Sequence, residues 1–192
     1  MNLVFASANT NKVSEIRAML PDGYSLLGLA DIGCHDDIPE TADTFDGNAK
    51  LKADYVTDKF GYDCFADDSG LEVEALGGAP GVYSARYAGI PKDDAKNILK
   101  LLEALEGETN RRAQFRTVIA LNHLGETHFF DGIVTGVITK KPSGNNGFGY
   151  DPVFIPDGHE RTFAQMSQAE KATISHRGRA LQKLLTFLKK NP

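Results

Sequence analysis

The chain has 192 residues, 41% of them hydrophobic, which is enough for one compact domain with its own core. Its formal net charge of −5, with lysines and arginines spread along the chain, argues against a broad surface for nucleic acid. No run of about 18 apolar residues predicts a membrane span, no linker or repeat divides the chain, and Cys34 and Cys64 suit a reducing compartment, so we expect one cytoplasmic domain over 1–192.

The first half of the chain alternates apolar runs with amphipathic helices. The apolar runs predict strands at 3–6, 24–29 and 64–66. Helical spacing of apolar residues predicts a helix after Lys12 and another from Phe45 to Phe60, with Gly61 at its C-terminal end. The segment Asp67-Asp68-Ser69-Gly70 follows the third strand and predicts a turn at a strand's carboxyl end, where ligands often bind.

The second half adds a helix, a hairpin and two C-terminal helical stretches. Asp93 or Asp94 would cap a helix whose apolar residues run to Leu102. Period-2 stretches predict an antiparallel hairpin from 112–124 and 127–139. A glycine-rich loop at 143–150, a short strand at 152–155, a capping box at 167–170 and an amphipathic helix around 181–188 complete the chain. The order β-α-β-α-β-β-α-β-β-β-α-α predicts an α/β or mixed α+β fold around a mixed sheet.

The junction between the first strand and the first helix is a candidate anion site. Ser7-Ala8-Asn9-Thr10-Asn11-Lys12 brings hydroxyls, amides and an ammonium to a helix N-terminus, where backbone N–H groups have no helical partner. Serine, threonine and asparagine are also ordinary N-cap residues. A simple cap followed by a solvated lysine is therefore an open alternative.

Three carboxylates are the best candidates for a hard cation. Mg²⁺ takes oxygen ligands, usually one or two carboxylates with substrate phosphates and water, and Glu40, Asp67 and Asp68 could supply them. The alternative is that the aspartates serve a turn and Glu40 faces solvent. Lys52, in the predicted second helix, could cover the core edge with its stem or turn its ammonium into a cleft, and sequence alone favours the first.

Cations gather where the last helical region begins. Lys171, His176 and Arg177 oppose the dipole of a helix N-terminus, so a compensating partner is expected. That partner could be a bound anion, an electron-rich base edge or an ordinary surface carboxylate. The glycine-rich stretch 144–151 lacks the lysine pattern of a phosphate-binding P-loop and does not open a helix.

In their order along the chain, the motifs resemble those of the inosine triphosphate pyrophosphatase family. Each motif is weak by itself, but the ordered set is specific and spans nearly the whole chain. The motifs are Ser7-x-Asn9-x-x-Lys12, Pro39-Glu40-Thr41, Phe45-x-x-Asn48-Ala49-x-x-Lys52-Ala53, Ala66-Asp67-Asp68-Ser69-Gly70-Leu71, Gly77-Gly78-Ala79-Pro80-Gly81, Ser84-Ala85-Arg86-Tyr87, Gly147-Phe148-Gly149-Tyr150-Asp151-Pro152, Glu170-Lys171 and Ile174-Ser175-His176-Arg177-Gly178.

The resemblance implies an elongated mixed sheet flanked by helices, two lobes with a central substrate cleft, and a homodimer. It also implies Mg²⁺-dependent hydrolysis of ITP, dITP and XTP to the monophosphate and pyrophosphate. Asp68 would be the proton acceptor, and Glu40 and Asp68 would bind Mg²⁺, with Asp67 structural. Substrate would be bound by Ser7, Ala8, Asn9, Thr10, Asn11, Lys12, Lys52, Ser69, Phe148, Gly149, Tyr150, Asp151, Lys171, His176 and Arg177.

The implied roles agree with elementary phosphate and base chemistry. Lys12 and Lys52 would neutralise the triphosphate while water attacks the α-phosphorus. Phe148 would stack on the purine, and Arg177 would donate a hydrogen bond to O6 of the purine. The 6-amino group of adenine cannot accept that hydrogen bond.

Three alternatives remain at this point. The first is a pyrophosphatase for modified pyrimidine or methylated guanine nucleotides, and the second is a non-catalytic nucleotide sensor, which would not need Glu40 and Asp68 as metal ligands. A nucleic-acid-binding module is disfavoured by the acidic net charge.

Overall fold

The computed structural model describes residues 2–191. The helices and strands there are β1 (Asn2–Phe5), α1 (Thr10–Met19), β2 (Ser25–Leu27), α2 (Phe45–Phe60), β3 (Cys64–Val73), α3 (Asp94–Ala104), β4 (Arg112–His123), β5 (Glu126–Ile138), β6 (Phe154–Pro156), α4 (Gln168–Ile174) and α5 (His176–Lys190). None of these helices is long and apolar enough to cross a bilayer.

The strands form one mixed sheet in the order β2-β1-β3-β4-β5-β6. β1 is parallel to β2 and to β3, whereas β5 is antiparallel to β6. Leu124 and Gly125 connect β4 to β5 with φ of 51° and 81°, as the tight turn of a hairpin requires. The predicted α/β class with a mixed sheet is confirmed.

The predicted turn at Asp67-Asp68-Ser69-Gly70 is wrong. β3 continues without a break through this segment to Val73, so the described residues hold one long strand where the predicted order had two. β3 lies between β1 and β4, and pairing with both neighbours outweighs the turn propensity of Asp, Ser and Gly. Because side chains alternate along a strand, Asp67 and Asp68 point to opposite faces of the sheet.

The helix ends follow the predicted capping chemistry. Asn9 caps α1, and Asp93 rather than Asp94 caps α3 by accepting from the Lys96 N–H. Gly61 ends α2 in the left-handed conformation, at φ of 73°. Ser167 begins α4 with the reciprocal hydrogen bonds of a capping box.

The chain divides into two compact units, each with its own core. Unit 1 consists of Met1–Asp68, Thr117–Gly132 and Arg177–Pro192, and unit 2 of Ser69–Arg116 and Ile133–His176. In unit 1, Phe5 and Phe65 stack at 4.8 Å inside a leucine-rich cluster. The core of unit 2 is built around Phe115, Phe154 and Phe163. The single domain and the cleft between lobes expected from the sequence stay predictions.

The capping box of α4 predicts an acid-sensitive contribution to stability. Glu170 accepts from the Ser167 N–H and pairs with Arg161, and these contacts lower its pKa from 4.5 to about 2. A carboxylate with a depressed folded-state pKa stabilises the protein above its unfolded pKa and loses that contribution as pH falls from about 4.5 towards 2. The thermal midpoints of the wild type and Glu170→Gln should therefore differ at pH 6, and the difference should shrink steadily below about pH 4.5 and nearly vanish as pH approaches 2. A constant difference across that range would contradict this linkage.

Candidate active site

Asp67 is the centre of a buried charge cluster in unit 1. Its Oδ1 accepts from Lys12 Nζ at 3.0 Å and its Oδ2 from Arg177 Nε at 3.2 Å, while the side chain is fully buried. Arg177 also contacts the Glu15 carboxylate. Lys12 and Glu15 lie three residues apart on one face of α1, so one helix supplies both a cation and an anion to the cluster.

The groups in this cluster control one another's charge. Burial lowers the pKa of Lys12, and Asp67 counteracts this only in part. Burial alone would raise the pKa of Asp67, but Lys12 and Arg177 overcome that effect and hold it below its usual range. For Arg177, burial opposes the charge, whereas Asp67 and Glu15 favour it and raise the pKa overall. Asp67 therefore favours the charged forms of Lys12 and Arg177, the two buried groups that its carboxylate contacts.

Asp68 lies in a second polar cluster of unit 1, built from α2. Asn48 Nδ2 donates to Asp68 Oδ2 at 3.0 Å, and Asn48 Oδ1 accepts from the Ala42 N–H at 2.9 Å. One helical turn later, Lys52 Nζ donates to the Asp67 carbonyl at 2.6 Å and contacts the Glu40 carboxylate. The Lys52 ammonium is thus turned into a polar cluster, and the interpretation favoured from sequence, in which the Lys52 stem covers the core edge, is wrong.

The surroundings of Asp68 make its carboxylate more basic than usual. Burial is the main reason that its pKa is raised, and the negative charge of Glu40 adds to the effect. Lys52 and Lys12 oppose it. Glu40 and Asp68 are therefore two oxygen donors within each other's electrostatic influence. Within residues 2–191, no group of three or more His, Cys, Asp or Glu could hold a metal ion by itself.

The start of α1 serves as a helix cap. Asn9 Oδ1 accepts from the N–H groups of Asn11 and Lys12 at 3.1 and 3.3 Å, and Ser7 Oγ accepts from the Asn9 N–H at 3.2 Å. The exposed residues of this stretch are Ala8, Thr10 and Asn11. The alternative of an ordinary cap describes Asn9 correctly, but the Lys12 side chain, 13% exposed and paired to Asp67, is not a solvated lysine.

Unit 2 holds a separate polar cluster around Asp151 and Lys171. Lys171 Nζ donates to Asp151 Oδ2 at 2.6 Å, and both side chains are almost completely buried. The Phe148 N–H also donates to Asp151 Oδ2, at 3.0 Å, and Lys171 Nζ lies 5.0 Å from the centre of the Phe148 ring. His176 stacks on Phe115 at 4.7 Å. The cluster therefore combines an aromatic face with a buried ion pair.

The sequence of residues 3–187 matches the Ham1 family. The chain belongs to this family. A relative named dITP/XTP pyrophosphatase from Flavobacterium psychrophilum is 60% identical, over 98% of this chain and 100% of the relative. One of the same name from Bacillus subtilis is 46% identical over 96% of both. The resemblance inferred from the ordered motifs is confirmed.

Solved structures of Ham1 proteins share the fold. The Ham1 protein from Staphylococcus aureus covers 100% of both chains with a TM-score of 0.90 and 43% identity. A nucleoside-triphosphatase / dITP/XTP pyrophosphatase from Mycobacterium abscessus covers 96% of this chain and 99% of its own, with a TM-score of 0.78 and 42% identity.

The sequence-predicted residues of this Ham1-family chain are divided between the two units. Lys12, Lys52, Asp68, Glu40 and Arg177 belong to unit 1. The members of unit 2 are Ser69, Phe148, Gly149, Tyr150, Asp151, Lys171 and His176. The family resemblance implies that Arg177 donates to O6 of the base, whereas its side chain contacts Asp67 and Glu15 in the structure. Its role towards the base stays a prediction.

Two residues with clear structural roles, Asn48 and Glu15, were assigned no role from the sequence. Asn48 orients Asp68, and Glu15 pairs with Arg177. Helical spacing offered a signal for both, because Asn48 precedes Lys52 by four residues and Glu15 follows Lys12 by three. A polar side chain that repeats on the face of a candidate functional lysine is the pattern to look for.

Gly147 is predicted to be essential to the Asp151–Lys171 pair. Its φ is 74°, and a side-chain carbon there would overlap Asp151 Oδ2. Gly147→Ala should lower the free energy of unfolding by about 3 kcal/mol or more, because displacing Asp151 leaves a buried Lys171 without its anion. Urea unfolding measures this loss.

Gly158→Ala is the matched control for that experiment. Gly158 has a similar φ of 80°, but nothing lies within 4 Å of the added carbon. Gly158→Ala should lower the free energy of unfolding only by the cost of placing alanine in a left-handed backbone conformation, about 1–2 kcal/mol. Equal losses in Gly147→Ala and Gly158→Ala would show that Asp151 adapts without cost.

Proposed function

We propose that the chain hydrolyses non-standard purine nucleoside triphosphates, including dITP, XTP and ITP, to the monophosphate and pyrophosphate with Mg²⁺. The observation that carries the proposal is the pair of polar clusters in unit 1. Lys12 and Arg177 contact the Asp67 carboxylate, and Lys52 contacts the Asp67 carbonyl and acts electrostatically on Asp68. The full-length relatives of this Ham1-family chain bear names that state the dITP and XTP activity. Their names support the substrate class, and the cations and carboxylates of the two polar clusters support phosphate chemistry.

The phosphate end of the substrate matches the cations of unit 1. Lys12 and Lys52 are both held by carboxylate or carbonyl oxygens, so their ammonium groups are oriented before a nucleotide arrives. A triphosphate gives each ammonium further oxygen acceptors in a poorly solvated setting, where charge-assisted hydrogen bonds are strong. Binding would also offset the burial that lowers the pKa of Lys12.

Glu40 and Asp68 fit the donor set of a magnesium site. Both offer carboxylate oxygens, and Glu40 is near enough to raise the pKa of Asp68. Mg²⁺ commonly uses one or two carboxylates and completes its shell with phosphate oxygens and water. When bound, the ion would neutralise phosphate charge and orient the reacting phosphate.

Asp68 is proposed as the proton acceptor. Its raised pKa makes it a better base than an exposed aspartate, and Asn48 fixes its orientation. Water attacks the α-phosphorus, its proton passes to Asp68, and the bond from the α-phosphorus to the bridging oxygen breaks. Pyrophosphate leaves on that oxygen while Lys12 and Lys52 compensate its charge. No covalent bond to the enzyme is needed.

The base end of the substrate matches the chemistry of unit 2. Phe148 offers an aromatic face for the purine, and the buried Lys171 ammonium lies beside that ring. The donor proposed for O6 is Arg177, because a donor that faces the 6-amino group of adenine would lose its acceptor.

Separate incubations with ITP, XTP, dITP, ATP and GTP test the proposal. Purified protein with Mg²⁺ should release monophosphate and pyrophosphate from the first three and little from ATP or GTP. Orthophosphate would mean attack at the γ-phosphorus and would overturn the mechanism. Turnover of modified pyrimidine or methylated guanine nucleotides alone would favour that rival, and binding without turnover would favour a sensor. Omitting Mg²⁺ tests the metal requirement.

A further inference from the structure

The first turn of α3 is hydrogen-bonded to the loop that carries Phe148. Asp94 Oδ2 accepts from the Gly149 N–H at 2.7 Å, across 55 positions of sequence. Gly149 has a φ of 59°, in the left-handed region. Glycine adopts positive and negative φ about equally readily, so the residue does not fix this backbone conformation by itself. A carboxylate acceptor is a strong partner for a backbone N–H. Asp94 therefore fixes the peptide that directly follows Phe148.

A second contact links Asp94 to the Phe148 ring through Lys92. Lys92 Nζ lies 3.4 Å from Asp94 Oδ1 and 5.8 Å from the centre of the Phe148 ring. One carboxylate thus holds the backbone next to Phe148 with one oxygen and a cation over the ring with the other. Both contacts lie within unit 2.

The neighbouring Asp93 has a different task, although it is also a partly exposed carboxylate. Asp93 caps α3 by accepting from the Lys96 N–H at 3.0 Å. Asp94 follows it as the first residue of the helix and directs its side chain to the loop. Two adjacent aspartates therefore separate helix capping from loop attachment.

We propose that Asp94 is a positioning residue for base recognition. By holding Gly149 and Lys92 it sets the orientation of Phe148 relative to the Asp151–Lys171 pair, without touching the substrate. This inference rests on the proposed function, because it assigns Phe148 and its neighbours to the base. It predicts that Asp94 affects binding and selectivity far more than the chemical step.

Steady-state kinetics of Asp94→Ala, Asp94→Asn and Asp93→Ala test this role. In Asp94→Ala, KM for dITP should rise by about tenfold, the size expected for one lost hydrogen bond to a charged acceptor. Its kcat should stay within about twofold, and the preference for dITP over dATP should fall. Asp94→Asn keeps an oxygen acceptor for Gly149 and should recover most of KM. Asp93→Ala loses a helix cap and an exposed ion pair with Lys96, neither of which contacts the loop, and should leave KM and selectivity unchanged.

Amide hydrogen exchange at Gly149 supplies a readout that does not need activity. Exchange at this amide should accelerate by about tenfold or more in Asp94→Ala and stay unchanged in Asp93→Ala. If the wild type is active but Asp94→Ala has the same KM and selectivity as the wild type, the proposal is overturned. Equal changes of KM and selectivity in Asp93→Ala and Asp94→Ala would also overturn it. If the wild type hydrolyses no nucleotide, the proposed function fails. Unchanged Gly149 exchange in Asp94→Ala would then refute the anchor, and faster exchange would support it.

Discussion

Asp68→Asn is expected to lower kcat by about 100- to 10,000-fold, the range for loss of a general base. The substitution preserves side-chain shape, and Asn48 can still donate to the remaining oxygen, so the fold should persist. Lys12 and Lys52 keep their positions, so nucleotide binding should remain measurable. Pyrophosphate release gives kcat, and calorimetry with a nucleotide analogue that resists cleavage gives affinity.

Asp54→Asn is a matched control for that experiment. Asp54 also accepts from an asparagine, Asn122 Nδ2 at 3.0 Å, but it pairs with Lys50 and belongs to neither polar cluster of unit 1. It should keep wild-type kcat. Full activity in Asp68→Asn would remove Asp68 from the mechanism. Recovery of Asp68→Asn at high Mg²⁺ would mean that the carboxylate serves the ion and not the proton.

Local patterns in the sequence predicted most of the fold. Apolar spacing placed α2 and α3, alternation placed the β4–β5 hairpin, and capping residues placed the helix ends. The predicted turn within β3 was wrong because pairing with a strand on each side depends on the whole sheet and not on the local sequence. Four residues of turn-forming type, Asp67-Asp68-Ser69-Gly70, contain no local sign that neighbours will hold them extended.

The sequence predicts which residues belong to the candidate site but not which of them contact one another. The ordered motifs identified Lys12, Lys52, Asp68 and Arg177. Glu15 and Arg177 are 162 positions apart, and no periodic pattern reports a contact at that separation. The family resemblance implied a structural role for Asp67, and no local pattern indicates that Lys12 and Arg177 contact it.

Asp67→Ala is the substitution expected to cost the most stability. It would leave Lys12 and Arg177 buried without the anion that compensates them, whereas Asp67 itself makes no contact with solvent. Breaking a buried charge network by removing one partner typically costs about 3–5 kcal/mol. Urea unfolding monitored by circular dichroism should show a midpoint shift with little change in slope.

Asp157→Ala is the control that separates burial from the number of contacts. Asp157 accepts two hydrogen bonds from Arg112 and one from Thr135, but its side chain is 47% exposed. Water can replace those contacts, so the loss should be much smaller. If Asp67→Ala does not fold, Asp67→Asn keeps an oxygen acceptor and should give an intermediate loss. Equal losses in Asp67→Asn and Asp157→Ala would mean that the buried cations do not need the Asp67 charge.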